Sequence, residues 1–116
     1  MKLRELEQYI EIDVESSIAR FAGMEMMYVK YLKKLPEDKT FEELTAAVDR
    51  DDRKEIEVKA HTLKGICGNL GLNGLYQKSD ALVKAVREGR TQEIRPLYGE
   101  IKTLMEETVR ALGELE

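Results

Sequence analysis

The chain has 116 residues, of which 19 are Lys or Arg and 23 are Asp or Glu, so its net charge at pH 7 is −4. This length suits one domain, and the mildly acidic balance argues against general binding to nucleic acid or to an anionic membrane. Charged residues make up 36% of the chain and hydrophobic residues 42%, with 2 prolines and no tryptophan. We therefore expect one all-helical domain over residues 1–116.

The sequence also limits the compartment in which the protein works. Its single cysteine, Cys67, excludes an internal disulfide and fits a reducing environment. Residues 1–13 carry four acidic side chains and no apolar run, so they do not resemble a signal peptide. No stretch approaches the roughly 18 apolar residues of a membrane-spanning helix. We expect a cytoplasmic protein without a membrane segment.

The first third of the chain carries three short amphipathic patterns. A helix is expected over about residues 2–10, and Asp13 is placed to cap a second helix. The inward residues of that second helix are predicted to be Val14, Ile18, Phe21 and Ala22. After Gly23, apolar residues at spacings of three and four predict a further helix that ends at Pro36. Its inward residues are predicted to be Met24, Met27, Tyr28, Tyr31 and Leu35.

Four main helices follow, over roughly residues 40–50, 53–70, 73–88 and 92–115. Thr40 opens a capping-box pattern, and either Asp51 or Asp52 ends the first helix and caps the second. Gly71 suits the end of the second helix, and Asn73 can cap the third. Short connections between long amphipathic helices favour an antiparallel up-and-down four-helix bundle, with the N-terminal segments covering one end.

The segment 53–70 has two distinct faces. Its apolar stripe comprises Ile56, Ala60, Leu63, Cys67 and Leu70. On this stripe Cys67 is interpreted as a small buried hydrophobe rather than a reactive thiol. The opposite face comprises Lys54, Glu57, His61, Lys64, Gly65 and Gly68.

The polar face suggests phosphoryl chemistry. Two glycines inside a helix cost about 1 kcal/mol each relative to Ala, which suggests that something approaches the backbone beside His61. A neutral imidazole nitrogen is a nucleophile, and phosphoryl transfer needs in-line access and nearby positive charge, which Lys64 supplies. The lone histidine cannot build a di-iron site, and no Walker or dinucleotide-binding glycine loop is present. A partner must therefore supply the metal and the high-energy phosphoryl group.

The run Ala-His-Thr-Leu-Lys-Gly over residues 60–65, continued by Ile-Cys-Gly-Asn-Leu-Gly, closely resembles the signature of histidine phosphotransfer (HPt) domains. The segment 13–23 and the helix from Tyr28 to Leu35 resemble the N-terminal part of that family. Leu75 and Leu82 lie where the next helix of the family packs. The resemblance implies a four-helix bundle with the histidine exposed on its second helix.

The resemblance also implies roles for residues of the polar face. His61 would accept the phosphoryl group through Nε2, Lys64 would neutralise the phosphoryl oxygens, and Gly65 would leave room for the incoming group. Gly68 would let a receiver domain approach, with close helix–helix packing as the alternative explanation.

One position departs from the pattern of the family. Many members orient the imidazole with a Gln or Glu at the position that Val83 occupies here. Glu57, Asn69 and Gln77 are the polar candidates that remain for that task. Lys54, together with Arg50, Arg53 and Lys59, could steer an acidic receiver pocket toward the histidine.

We therefore expect a monomeric phosphocarrier, not an enzyme, that moves a phosphoryl group between His61 and receiver-domain aspartates of response regulators. It would bind no cofactor itself, because Mg²⁺ would come with the receiver domain, and a hybrid sensor histidine kinase is a further candidate partner. One alternative is an HPt-like adapter that binds receivers or kinases without phosphotransfer. Another is a module of a larger hybrid sensor kinase, although Met1 and the end at Glu116 favour a freestanding chain.

Overall fold

The computed structural model describes all 116 residues, and its regular elements are all helices. The six α-helices are α1 (Val14–Arg20), α2 (Glu25–Lys34), α3 (Thr40–Asp49), α4 (Arg53–Leu70), α5 (Asn73–Arg87) and α6 (Ile94–Gly113). Three short 3₁₀-helices span Leu3–Gln8, Leu35–Glu37 and Thr91–Glu93. The prediction of an all-helical fold is confirmed. None of these helices combines the length and the hydrophobicity needed to cross a bilayer.

Helices α3, α4, α5 and α6 form a bundle. Helix α3 packs on α4, α4 on α5 and α5 on α6, and α6 also contacts α3. The pairing of α4 with α5 is the most extensive of these. The predicted range 53–70 coincides with α4, and the other three ranges differ from α3, α5 and α6 by one or two residues at their ends.

Helices α4 and α5 run in opposite directions. Two ion pairs show this, because the residue number rises along α4 while that of the partner falls along α5. Near the start of α4, Glu57 pairs with Arg87 at 2.8 Å, and further along Lys64 pairs with Asp80 at 2.9 Å. The up-and-down order of all four helices stays a prediction.

The corner between α4 and α5 depends on Gly71. This residue has φ +73°, which a side chain rarely tolerates, and an added Cβ would collide with Ser17 Oγ and lie 2.7 Å from Asp13 O. Helix α1 is joined to the same corner because Asp13 N donates to Gly71 O at 2.9 Å. The glycine therefore closes α4 and also lets α1 lie against the bundle.

Two of the predicted caps are confirmed. The Asp52 carboxylate accepts a hydrogen bond from Glu55 N at 3.1 Å and caps α4, and the Asp13 carboxylate caps α1 by accepting from Ser16 N at 3.1 Å. Asp51, with φ +55°, reverses the chain just before α4. The bounds of α4 therefore follow from local chemistry at both of its ends.

Two other predicted caps are wrong. Thr40 is the first residue of α3 and forms no capping box, because Asp38 Oδ1 already accepts from Thr40 N at 2.8 Å. Asn73 is likewise the first residue of α5, with Leu72 in the cap position. Its backbone N–H donates to Glu11 O at 3.1 Å, so the N-terminal segment supplies an acceptor for the first residue of this helix.

A single hydrophobic core runs from Leu3 to Leu115 and joins residues from nearly every element. The predicted apolar stripe of α4 is confirmed, since all five of its residues are buried. Burial raises the pKa of the Cys67 thiol to about 12, so the thiol stays protonated at neutral pH. This agrees with the interpretation of Cys67 as a packing residue.

Part of the predicted inward face before residue 36 is wrong. Four residues expected inside are exposed instead: Ala22, Met24, Met27 and Tyr31. Helix α2 buries Tyr28 and Leu32, and Leu35 follows on the same side, so Leu32 rather than Tyr31 completes the inner face. Ala22 lies in the turn after α1 with φ +56°, where the chain reverses at the surface.

Candidate functional site

The outer face of α4 carries the residues singled out by the sequence. Because the apolar stripe points into the core, the residues on the opposite side of the helix reach the surface. Lys54, His61, Gly65 and Asn69 are exposed, while Glu57, Lys64 and Gly68 are partly buried along the seam with α5. No three His, Cys, Asp or Glu side chains are grouped so that they could hold a metal ion.

The surface beside His61 is open. Gly65 lies four residues further along α4 and therefore on the same face. A Cβ built on Gly65 would meet no heavy atom within 4 Å. An incoming group can therefore reach the imidazole over bare backbone.

Lys64 takes part in a three-residue ion cluster across the seam. Its Nζ lies 2.9 Å from Asp80 Oδ1, and Lys84 Nζ lies 3.0 Å from Asp80 Oδ2. The hydrogen bond from Lys64, followed in size by that from Lys84, holds the pKa of the Asp80 carboxyl below its usual value. We call Lys64, Asp80 and Lys84 the seam cluster; it carries one net positive charge, and its Lys64 follows His61 by three residues on α4.

Gly68 makes room for a side chain of this same protein. A Cβ at Gly68 would lie 3.1 Å from Cδ2 and 3.2 Å from Cε2 of Tyr76. The Lys64 ammonium lies 5.7 Å from the centroid of the same ring. Of the two explanations for Gly68, the structure directly displays helix–helix packing, with Tyr76 covering the glycine.

The polar candidates for orienting His61 lie in different surroundings. The Glu57 carboxylate accepts from Arg87 Nε at 2.8 Å, so it is already engaged with α5. Asn69 and Gln77 are exposed on α4 and α5 respectively. Val83 is 1% exposed and belongs to the core. None of the four forms a hydrogen bond with the imidazole in this structure.

Sequence reasoning missed the contribution of α5, namely Tyr76, Asp80, Lys84 and Arg87. A signal for them existed. Only Gly71 and Leu72 separate the two helices, so antiparallel neighbours must pair at matching distances from that turn. Lys64 and Asp80 each lie eight positions from Leu72, so counting outward from that residue would have placed them at the same level of the seam.

The arrangement can support nucleophilic chemistry at the imidazole. The ring is exposed, its neighbourhood at Gly65 is unobstructed, and Lys64 follows three residues later on the same helix. Positive charge near the oxygens of a transferring phosphoryl group lowers the energy of the transition state. On the same face Glu57 is paired with Arg87, and this pair adds no net charge.

A family model described as the Hpt domain matches residues 27–111. The match takes in all of α3, α4 and α5, and with them His61, Lys64 and Gly65. Searches of curated proteins and of solved structures gave no match. Since the family model covers well over half of the residues, the chain belongs to the Hpt domain family.

Proposed function

We propose that this protein is a phosphocarrier in which His61 takes a phosphoryl group from one receiver-domain aspartate and passes it to another. Hpt domains act in histidine phosphotransfer within phosphorelays, interact with receiver domains of response regulators, and are phosphocarriers rather than enzymes. The observation that carries the proposal for this chain is the exposed imidazole of His61 beside the open surface at Gly65.

The transfer step balances with the groups at hand. The lone pair of His61 Nε2 attacks the phosphorus of the aspartyl phosphate in line with the bond to the leaving oxygen. The N–P bond forms as the P–O bond breaks, and the aspartate leaves as a carboxylate with that electron pair. Nδ1 keeps its proton throughout. The same step in reverse delivers the phosphoryl group to the next aspartate.

The two partners divide the remaining tasks. The receiver domain brings the Mg²⁺ that offsets charge on the phosphoryl oxygens, and Lys64 adds positive charge from the Hpt side. Gly65 leaves space for the receiver's reacting carboxyl group. The protein acts as a monomer, one chain for each receiver.

Exposed cations near the start of α4 suit an acidic receiver surface. Arg53 and Lys54 are exposed there. Lys59 instead pairs with Glu43 at 3.2 Å, and Arg50 lies 3.5 Å from Asp52, so these two are neutralised within the chain. Arg53 and Lys54 therefore supply the larger share of any long-range steering.

The proposal is tested by mixing the protein with a receiver that has been phosphorylated with radioactive phosphate. The expected product is a label on this chain that is labile in acid and stable in base, as a phosphoramidate bond is. The same mixture with His61→Gln, checked for native helicity, should give no label. A label that survives His61→Gln would overturn the assignment, and a chain that binds the receiver without ever taking label would be an adapter instead.

A further inference from the structure

We propose that Asp80 is a positioning residue that holds the Lys64 ammonium away from His61 at rest and yields it to the phosphoryl group once His61 is phosphorylated. Lys84 remains behind as the counter-ion of Asp80. This inference rests on the proposed function, because it concerns the same imidazole.

The resting position of Lys64 is visible in the structure. Its Nζ reaches across the seam to Asp80 at 2.9 Å and lies over the Tyr76 ring, 5.7 Å from the centroid. Tyr76 packs against Gly68, which follows Lys64 on α4 and so lies on the side away from His61. The ammonium is therefore engaged across the seam by groups of α5.

A phosphoryl group on His61 would compete with Asp80 for this ammonium. Residues three apart on a helix are neighbours, so the long side chain of Lys64 can reach an anion on His61. The phosphoryl group carries up to two negative charges, whereas Asp80 carries one and already shares it with Lys84. The larger charge favours movement of Lys64 to the phosphoryl oxygens.

Lys84 lowers the free-energy cost of separating Lys64 from Asp80. The Asp80 side chain is only 24% exposed, so a carboxylate left there without a cation would lose interactions that water restores incompletely. Lys84, at 3.0 Å from the second carboxylate oxygen, keeps Asp80 paired after Lys64 leaves. Asp80 thus weakens the hold of Lys64 on the phosphoryl group, which helps that group to leave again for the next receiver.

The test uses the protein alone, with phosphoramidate as the phosphodonor. The N–P bond to His61 forms as ammonia leaves, and ³¹P NMR then follows the pKa of the phosphoryl oxygens. Asp80→Asn should lower that pKa by roughly 0.2 to 0.7 of a pH unit, because the Lys64 ammonium then pairs with the phosphoryl group and no longer with a carboxylate. Lys84→Ala should raise the pKa by a similar amount, since Asp80 then has no second cation and binds the Lys64 ammonium more strongly.

Two double variants separate this account from a simple sum of surface charges. In the Asp80→Asn background, Lys84→Ala should cause no shift, and in the Lys64→Ala background, Asp80→Asn should lose most of its effect. If Asp80→Asn shifted the phosphoryl pKa equally in the presence and absence of Lys64, the inference would be overturned.

A matched control is available at the seam between α5 and α6. Lys78 Nζ pairs with Glu100 Oε2 at 3.1 Å, so Glu100→Gln also removes the carboxylate partner of an α5 lysine. It should leave the phosphoryl pKa unchanged, and a shift as large as that of Asp80→Asn would count against a specific role for Asp80. Failure of the wild-type protein to form phosphohistidine would overturn the proposed function and this inference together, whereas normal phosphorylation with unaltered titration in Asp80→Asn would overturn this inference alone.

Discussion

Gly65 and Gly68 lie three positions apart on α4 but have different surroundings. A side chain at Gly65 would project into open space, whereas one at Gly68 would press on the Tyr76 ring at 3.1 Å. Both glycines cost helix stability relative to Ala, so each needs its own reason. The structure supplies packing as the reason for Gly68, and access to His61 is the reason we propose for Gly65.

Substitution of Gly65 should separate folding from transfer. Gly65→Ala should raise the free energy of unfolding by about 1 kcal/mol, because nothing opposes the gain in helix propensity. Gly65→Leu should be at least as stable as the wild type but should slow phosphotransfer by about tenfold or more, equivalent to about 1.4 kcal/mol of barrier. Urea unfolding and rapid-quench transfer assays measure the two effects.

Gly99 is a matched control for Gly65. It lies inside α6, is exposed, and would also meet no atom within 4 Å if a Cβ were added. Gly99→Leu should therefore leave the transfer rate unchanged. Normal transfer by Gly65→Leu, or equal slowing by both variants, would show that Gly65 is not an access feature.

At the scale of residues, the sequence predicted the positions of some side chains well and those of others poorly. His61, Lys64 and Gly65 share a helix, so their common face follows from spacing alone. Asp80 and Tyr76 reach the site from another helix, and their positions depend on the register across the seam. Tyr31 was expected inside because it fits a spacing of three, but Leu32, one position later, occupies the core.

Whole elements were predictable where both ends carry strong local signals. Helix α4 begins after Asp52, whose carboxylate caps it, and ends at Gly71 with φ +73°. Helix α3 lacks a comparable start, because Asp38 rather than Thr40 supplies the acceptor for its first turn. Two acceptors lie close together at that start, and the sequence does not reveal which one the folded chain uses.

The cap of α1 predicts a dependence of stability on pH. The hydrogen bond from Ser16 holds the pKa of Asp13 below its ordinary value of 3.8, so Asp13 stabilises the fold above that pH. This contribution should disappear as the pH falls through the lowered pKa of the folded state. Asp13→Asn keeps an oxygen acceptor but loses the charge, so its deficit in unfolding free energy relative to the wild type should shrink in acid.

Urea unfolding at a series of pH values between about 2 and 7 measures that deficit. Asp49, which is exposed at the end of α3 and caps no helix, provides the control through Asp49→Asn. A deficit of Asp13→Asn that stays constant across the acid range would contradict the proposed role of the charge.

On the scale of the whole molecule, the N-terminal segment belongs to the same core as the bundle. The family match begins at residue 27, yet Leu3, Leu6 and Val14 are buried in the cluster that includes Leu112. The chain ends also meet, because the Met1 amino group donates to Glu114 O at 2.7 Å. We propose that residues 1–116 unfold as one domain.

Leu6→Ala tests this proposal. Leu6 is fully buried, so its truncation should cost about 2 to 5 kcal/mol and lower the midpoint of a single cooperative transition. Met26→Ala is the control, because Met26 is 88% exposed and its loss should change stability by no more than about 0.5 kcal/mol. A separate early transition in Leu6→Ala, with the main midpoint unchanged, would show that the N-terminal segment folds apart from the bundle.

The position of the histidine and the core of the family signature followed from α4 alone, since its caps, stripe and glycines are all local features. The charge environment of the histidine did not, because half of it is contributed by α5. The structure places the Lys64 ammonium on Asp80 and buries Val83 in the core. Both results depend on how two helices are aligned, which residue types on one helix do not determine.

The most direct test of the central claim is to locate the phosphate on the phosphorylated protein by mass spectrometry at alkaline pH. Trypsin cleaves after Lys59 and Lys64 and releases residues 60–64, a peptide that contains His61. The account predicts that this peptide gains the mass of one HPO₃, that fragmentation assigns it to His61 rather than Thr62, and that brief acid treatment removes it. Phosphate on any other residue, or an unmodified His61 after full labelling, would contradict it.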